Sequence, residues 1–106
     1  MQTNKEVFLE ALHHKRKVEV TFTKKNGEEV TRLCAPLDFG PKRNAKGKKN
    51  LYHFWSFPTP EKKGHPLSIN PQRVSKIELS EESFDPGEFV SWIPEWHTPR
   101  DWGDYS

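Results

Sequence analysis

The residues of this chain that could do chemistry are cations and aromatic rings set close together. Lys42, Arg43, Lys46, Lys48 and Lys49 place five cations within the nine polar positions 42 to 50, and Tyr52, His53, Phe54 and Trp55 follow at once. Binding of nucleic acid needs both kinds of group: cations displace the counterions held by phosphates, and ring faces give bases something to stack on. Lys24 and Lys25 before this stretch and Lys62 and Lys63 after it add to the supply of charge. Two more cations, Arg32 and Arg73, stand inside segments that otherwise read as strands, where a guanidinium turned toward a core needs a partner. A plainer structural reading stands beside this one. Cationic loops keep a thin-cored protein soluble, Phe54 and Trp55 fill the core, and each Arg pairs with Glu19 or Glu78 on a solvent-facing strand.

Other chemistry finds little support. A Cys-His nucleophile needs an activated thiolate and an orienting third group, and neither is legible around Cys34, which reads as a small buried apolar residue. One cysteine excludes an internal disulfide framework and a multi-cysteine zinc site. Of the histidines, His13 and His14 complete a helix end, His65 reads as a solvated loop residue between Gly64 and Pro66, and His97 follows Trp96 without a partner pattern. Paired carboxylates, a Gly-rich phosphate loop and a nucleophile elbow are all missing from the sequence. The expectation is a chain that is not an enzyme and has no catalytic residues, metal or cofactor.

The elements that must position these groups can be read from period and punctuation. The 106 residues allow one domain. Leu, Ile, Val and Phe number 23, just above the roughly 20% below which a highly charged chain stays disordered. Thr3 and Glu6 form a capping-box signature, and Val7, Phe8, Ala11 and Leu12 recur at helical spacing, which predicts a helix over 4–16. From Val18 the period becomes two, and Lys25-Asn26-Gly27-Glu28 predicts a type I′ hairpin turn with 29–35 returning antiparallel. Pro36, Gly40 and Pro41 are expected to end that strand. Residues 51–57 form the most aromatic strand, with Tyr52 and His53 on opposite faces, and shorter strands are expected at 67–69 and 74–79. Five closely spaced strands suggest a small barrel, mainly β with one flanking helix.

Charge divides the chain. Residues 1–80 carry 16 Lys or Arg against 8 Asp or Glu, a net +8, whereas residues 81–106 hold Arg100 against seven acids, a net −6. Phe84, Phe89, Trp92, Ile93, Trp96 and Trp102 are too many large apolar groups for a free tail, so 81–106 is expected to pack as an acidic, aromatic extension on a body formed by 1–80. No signal-peptide core or membrane-length apolar run is present, and the expectation is a cytoplasmic protein without membrane contact.

The order of the helix, Val18-Glu19-Val20-Thr21-Phe22, the Asn-Gly turn, Arg32-Leu33-Cys34-Ala35-Pro36-Leu37, the aromatic strand and Arg73-Val74-Ser75-Lys76-Ile77 resembles a WYL domain over residues 5–79. The matching places are Arg32 four residues before Pro36, Tyr52 in the aromatic strand, and Arg73 with Val74 opening the last strand. Leu51 and His53 stand where the family has Trp and Leu, Trp55 lies three residues past Tyr52, and Ser68 takes a place often held by Arg, so the likeness is to a divergent member. The resemblance implies an SH3-like or Sm-like five-stranded barrel. It also implies a ligand-sensing module of the kind found in bacterial or phage transcription regulators, here standing alone without the usual helix-turn-helix. The ligands it implies are single-stranded nucleic acid, an oligonucleotide or a nucleotide-like molecule. Arg32 and Arg73 are then expected on adjacent strands, where two guanidiniums can fork onto one phosphate.

Together these readings give a non-enzymatic module that binds such a ligand through Arg32, Tyr52, Arg73 and the cations Lys42, Arg43, Lys46, Lys48 and Lys49, with His53 and Trp55 beside them. The alternative is an SH3-like protein-interaction module of phage or mobile-element origin, acting as a monomer or homodimer. In that reading the tail around Trp92, Trp96 and Trp102 forms or fills a groove, and the acidic tail can mask the chain's own basic surface.

Overall fold

The computed structural model describes residues 2–41, 49–92 and 94–106. A helix, α1 (Asn4–His14), opens the chain. The Thr3 hydroxyl accepts from the Glu6 N–H and the Glu6 carboxylate accepts from the Thr3 N–H, each at 3.1 Å, which completes the capping box. These Thr3 hydrogen bonds hold the Glu6 carboxyl below its ordinary range. Lys15 ends the helix in a left-handed conformation at φ 54°, two residues before the expected boundary, and turns the chain straight into β1 (Arg16–Thr23).

The hairpin forms with a different turn from the expected one. Within it only Gly27 adopts positive φ, at 89°, and its N–H donates to Lys24 O, while the Asn26 side chain accepts from the Glu28 N–H. Asn26 is held by that local bond, so the loop is a turn closed by one left-handed glycine and not the type I′ pair. β2 (Glu29–Gly40) runs through Pro36 instead of ending there, because a register shift between Pro36 and Asp38 accommodates the missing N–H. β3 (Leu51–Ser56), β4 (His65–Ile69) and β5 (Val74–Ser83) complete the set, with a 3-10 turn at Pro71–Arg73 leading into β5.

The five strands make one antiparallel sheet in the order β4-β3-β2-β1-β5. The architecture is thus mainly β with one N-terminal helix, and the sheet is not closed: among the described residues no ladder joins β4 to β5. β4 and β5 are therefore the edge strands. The β5 edge is partly covered, since the Asn4 side chain accepts from the Ile77 N–H at 3.0 Å, while within the β1–β5 ladder the Arg16 guanidinium donates to Ser80 O at the bulge.

Phe8, Ala11 and Leu12 of α1 close over Val18, Val20, Cys34 and Phe54 of the sheet, all fully buried. Residues beyond β5 enter the same core. Phe89 stacks on Trp55 with ring centroids 5.4 Å apart, Trp102 meets Phe84 at 5.5 Å, and the Trp102 indole N–H donates to Leu12 O at 2.8 Å. No helix among the described residues is long and apolar enough to cross a membrane.

Candidate functional site

Register decides which side chains meet. Val18 lies opposite Cys34 and Cys34 opposite Ser56, while Val20 opposes Arg32 and Phe22 opposes Val30. Directly opposed residues share a face, so Arg32 points to the face that α1 covers, among Val20, Phe22, Val30 and Cys34. A guanidinium on an apolar face needs water, a carboxylate or a ligand. Among the described residues Arg32 makes no ion pair, and the one hydrogen bond of its guanidinium is a long 3.4 Å contact from Nη1 to Thr31 O. Glu78, a partner expected on the plain reading, instead pairs with Lys76 and lies opposite Glu19.

Arg32 opens into a cleft of about 400 Å³ between the β1–β2 hairpin and β4. Phe22, Val30, Leu67 and Ile69 give it an apolar wall. Lys24, Lys25, Lys62 and Arg73 join Arg32 around it, and His65, Ser56, Ser68 and Asn70 supply further polar groups. Among the described residues no Asp or Glu lines this cleft; Lys24 alone has a carboxylate nearby, Glu28 at 3.7 Å on the exposed hairpin. Cations crowded without counter-charge along a low-dielectric wall create a field that draws in anions.

Arg73 reaches the cleft from the exposed end of the Pro71–Arg73 turn, where the Asn70 side chain caps the Gln72 N–H at 3.0 Å. The two arginines therefore come together, but not from adjacent strands, since β1 lies between β2 and β5. Lys49 is exposed and lines a neighbouring shallow groove with Asn70, Pro71 and Gln72, on the same turn that carries Arg73. Lys42, Arg43, Lys46 and Lys48 lie outside the described residues.

The aromatic candidates do not join the cleft. Tyr52 is only 5% exposed, packed 5.0 Å from the Phe8 ring and 4.9 Å from Phe39, and burial raises its phenol pKa. Trp55 presents its face to Phe89 and is spent on packing. His53 faces the other way from Tyr52, as strand alternation requires. Its Nε2 lies 2.9 Å from Gly40 O, a pure acceptor, so Nε2 carries the hydrogen and Nδ1 accepts from the Ser68 hydroxyl at 2.9 Å. His53 lines a separate notch of about 250 Å³ with Trp92, Trp96 and His97.

Two features escaped the sequence reading. His65 belongs to β4 and lines the cleft, a place hinted at only by its position two residues before Leu67 on the alternating face. Asp38 is buried and accepts from the His97 and Thr98 N–H groups at 2.8 and 3.0 Å and from Arg100 at 3.2 Å. The Arg100 guanidinium lies between the Trp96 and Trp102 rings, 4.2 and 4.5 Å from their centroids. Burial, only partly offset by Asp38, lowers the Arg100 pKa to about 10.

Among the described residues no tail residue lines the cleft. Among the described residues no cluster of three or more His, Cys, Asp or Glu side chains could hold a metal ion. Compared with protein-family models, curated proteins and solved structures, the chain matches none.

Proposed function

We propose that this chain is a non-enzymatic binding module for an anionic, nucleotide-bearing ligand, single-stranded nucleic acid or an oligonucleotide, held in the cleft between the β1–β2 hairpin and β4. The observation that carries the reading is Arg32, a guanidinium on the apolar face of the sheet without a carboxylate partner among the described residues, opening into a cleft that Arg73, Lys25 and Lys62 also line. Phosphate is the anion two guanidiniums recognise best, because each offers a fork of donors. The apolar wall next to them suits a base or sugar face, and the side chains of Asn70 and His65 at its edge offer hydrogen bonds for orientation.

Titration of fluorescent single-stranded DNA, RNA and duplex at two salt concentrations tests this. The expected result is a salt-dependent preference for single strands, with Arg73→Gln and Arg32→Gln each weakening binding about tenfold or more, the scale of one missing charge-assisted hydrogen bond. Each variant should also flatten the salt slope by about 0.7 for every phosphate it no longer neutralises. Unchanged binding by both variants would put the site elsewhere. No binding by the unsubstituted chain at low salt would leave the cleft as a surface for a protein partner.

A further inference from the structure

We infer that the cleft takes one phosphate-terminated nucleotide unit, the end of a strand or a free nucleotide, and does not track along a strand. The inference rests on the anionic, nucleotide-bearing reading of the cleft and names which part of such a ligand it holds.

The shape of the site leads there. Proteins that follow single strands do so with several exposed rings, each stacking a successive base over a footprint of roughly 4–16 nucleotides. Here Tyr52 lies in the core and Trp55 is stacked by Phe89, so neither ring is open to a base. The rings in the cleft among the described residues are Phe22, which is itself largely buried, and the imidazole of His65. At about 400 Å³ the cleft falls near the small end of ordinary small-molecule sites, which span roughly 300–1,000 Å³. One base or nucleoside can lie against the apolar wall, and the next base along a strand meets no platform.

The charge pattern agrees. Arg32 and Arg73 come from different sides of the cleft, one from the sheet and one from the turn before β5, with Lys25 and Lys62 close by and no carboxylate among the described lining residues. Such a density of positive charge exceeds what one internal phosphodiester, with its single negative charge, can use. A terminal phosphomonoester carries close to two negative charges and three acceptor oxygens, and so can accept from both guanidiniums at once.

The experiment compares 5-mer and 15-mer oligothymidylates bearing either a 5′-phosphate or a 5′-hydroxyl, with thymidine 5′-monophosphate and inorganic phosphate as competitors, all against the full chain. We expect the phosphorylated 5-mer to bind about tenfold tighter than its hydroxyl counterpart. Lengthening to 15 residues should change affinity by less than about threefold, thymidine monophosphate should compete, and Arg73→Gln should erase the preference for the phosphate. Affinity that climbs with length and ignores the terminal phosphate would overturn this inference while leaving the proposed function standing. Inorganic phosphate competing as well as the mononucleotide would also overturn it, because the apolar wall would then contribute nothing. Failure of every oligonucleotide and of the mononucleotide to bind would overturn both.

Discussion

Arg32 and Cys34 stand two positions apart on the same face of β2, and their surroundings give them opposite chemistry. Arg32 opens into the cleft, whereas Cys34 is fully buried against Val18 and Ser56, with its thiol 3.7 Å from Arg32 O. Burial pushes the Cys34 thiol up to about 12; the Ser56 hydrogen bond and the Arg32 charge lower it but do not offset the desolvation. The thiolate is the reactive form, so a thiol held near 12 is almost wholly protonated at pH 8 and has no path to reagent. We predict that an aromatic disulfide reagent at pH 8 modifies Cys34 only as fast as the protein opens, and at once in denaturant. Rapid stoichiometric labelling of the folded chain would show that this environment is not maintained. The sequence reading of Cys34 as a small apolar residue rested on strand context, which is local. The fate of Tyr52 was not readable that way. Alternation says that Tyr52 and His53 face opposite sides but not which side α1 covers, and Phe8 decides that from 44 positions away.

At the level of elements, the attachment of the tail turns on β2. The register shift after Pro36 sets Asp38 where its carboxylate meets two backbone N–H groups and the Arg100 guanidinium, whose side chain is fully buried. Removing one member of a buried, hydrogen-bonded ion pair leaves the other uncompensated, at a cost of about 3–5 kcal/mol. Asp38→Ala should therefore lower stability in urea unfolding by that amount, and a drop below about 1 kcal/mol would mean that the tail is held by its rings alone. Elements whose cause is local were legible in the sequence: the Thr3–Glu6 cap, the period-two run at Val18, Val20 and Phe22, and the glycine of the hairpin. The strand through Pro36, the open seam between β4 and β5 and the Asp38–Arg100 pair were not. A proline signals a break unless a bulge absorbs it, and a carboxylate and a guanidinium 62 positions apart carry no pattern linking them. The cleft was half legible: Arg32 and Arg73 announced themselves as cations in strand-like segments, but its wall depends on how β4 faces the hairpin. His65, read as a loop residue, belongs to that wall through the same long-range placement.

For the whole molecule, the division of charge along the chain, +8 over residues 1–80 and −6 over 81–106, raises the question of whether the tail covers the cleft. Five of the body's cations line a cleft that no described residue of the acidic tail lines, while Phe89 is committed to Trp55, Trp102 to Leu12, and the His97 and Thr98 N–H groups with Arg100 to Asp38. This arrangement argues against self-masking and for a structural tail. Truncation after Ser83 removes Phe84, Phe89, Val90 and Trp102 from the core, uncovers Trp55 and strips Asp38 of Arg100 and of the His97 and Thr98 N–H groups. A domain of this size has a net stability of only about 5–15 kcal/mol, and removing several buried aromatic groups at about 3–5 kcal/mol each exceeds it. The truncated chain should lose cooperative unfolding and bind a hydrophobic dye, with oligonucleotide binding weakened along with the fold. A folded truncation that binds more tightly would restore masking. Charge alone can be tested in the intact chain by replacing Glu81, Glu82, Asp101 and Asp104, all exposed, with their amides. None of the four lines the cleft, and the interaction between exposed charges is screened over a Debye length of about 8 Å at physiological salt. The amide variant should then bind oligonucleotide within about twofold of the parent at that salt, whereas a masking tail would show a clear gain without any change of fold.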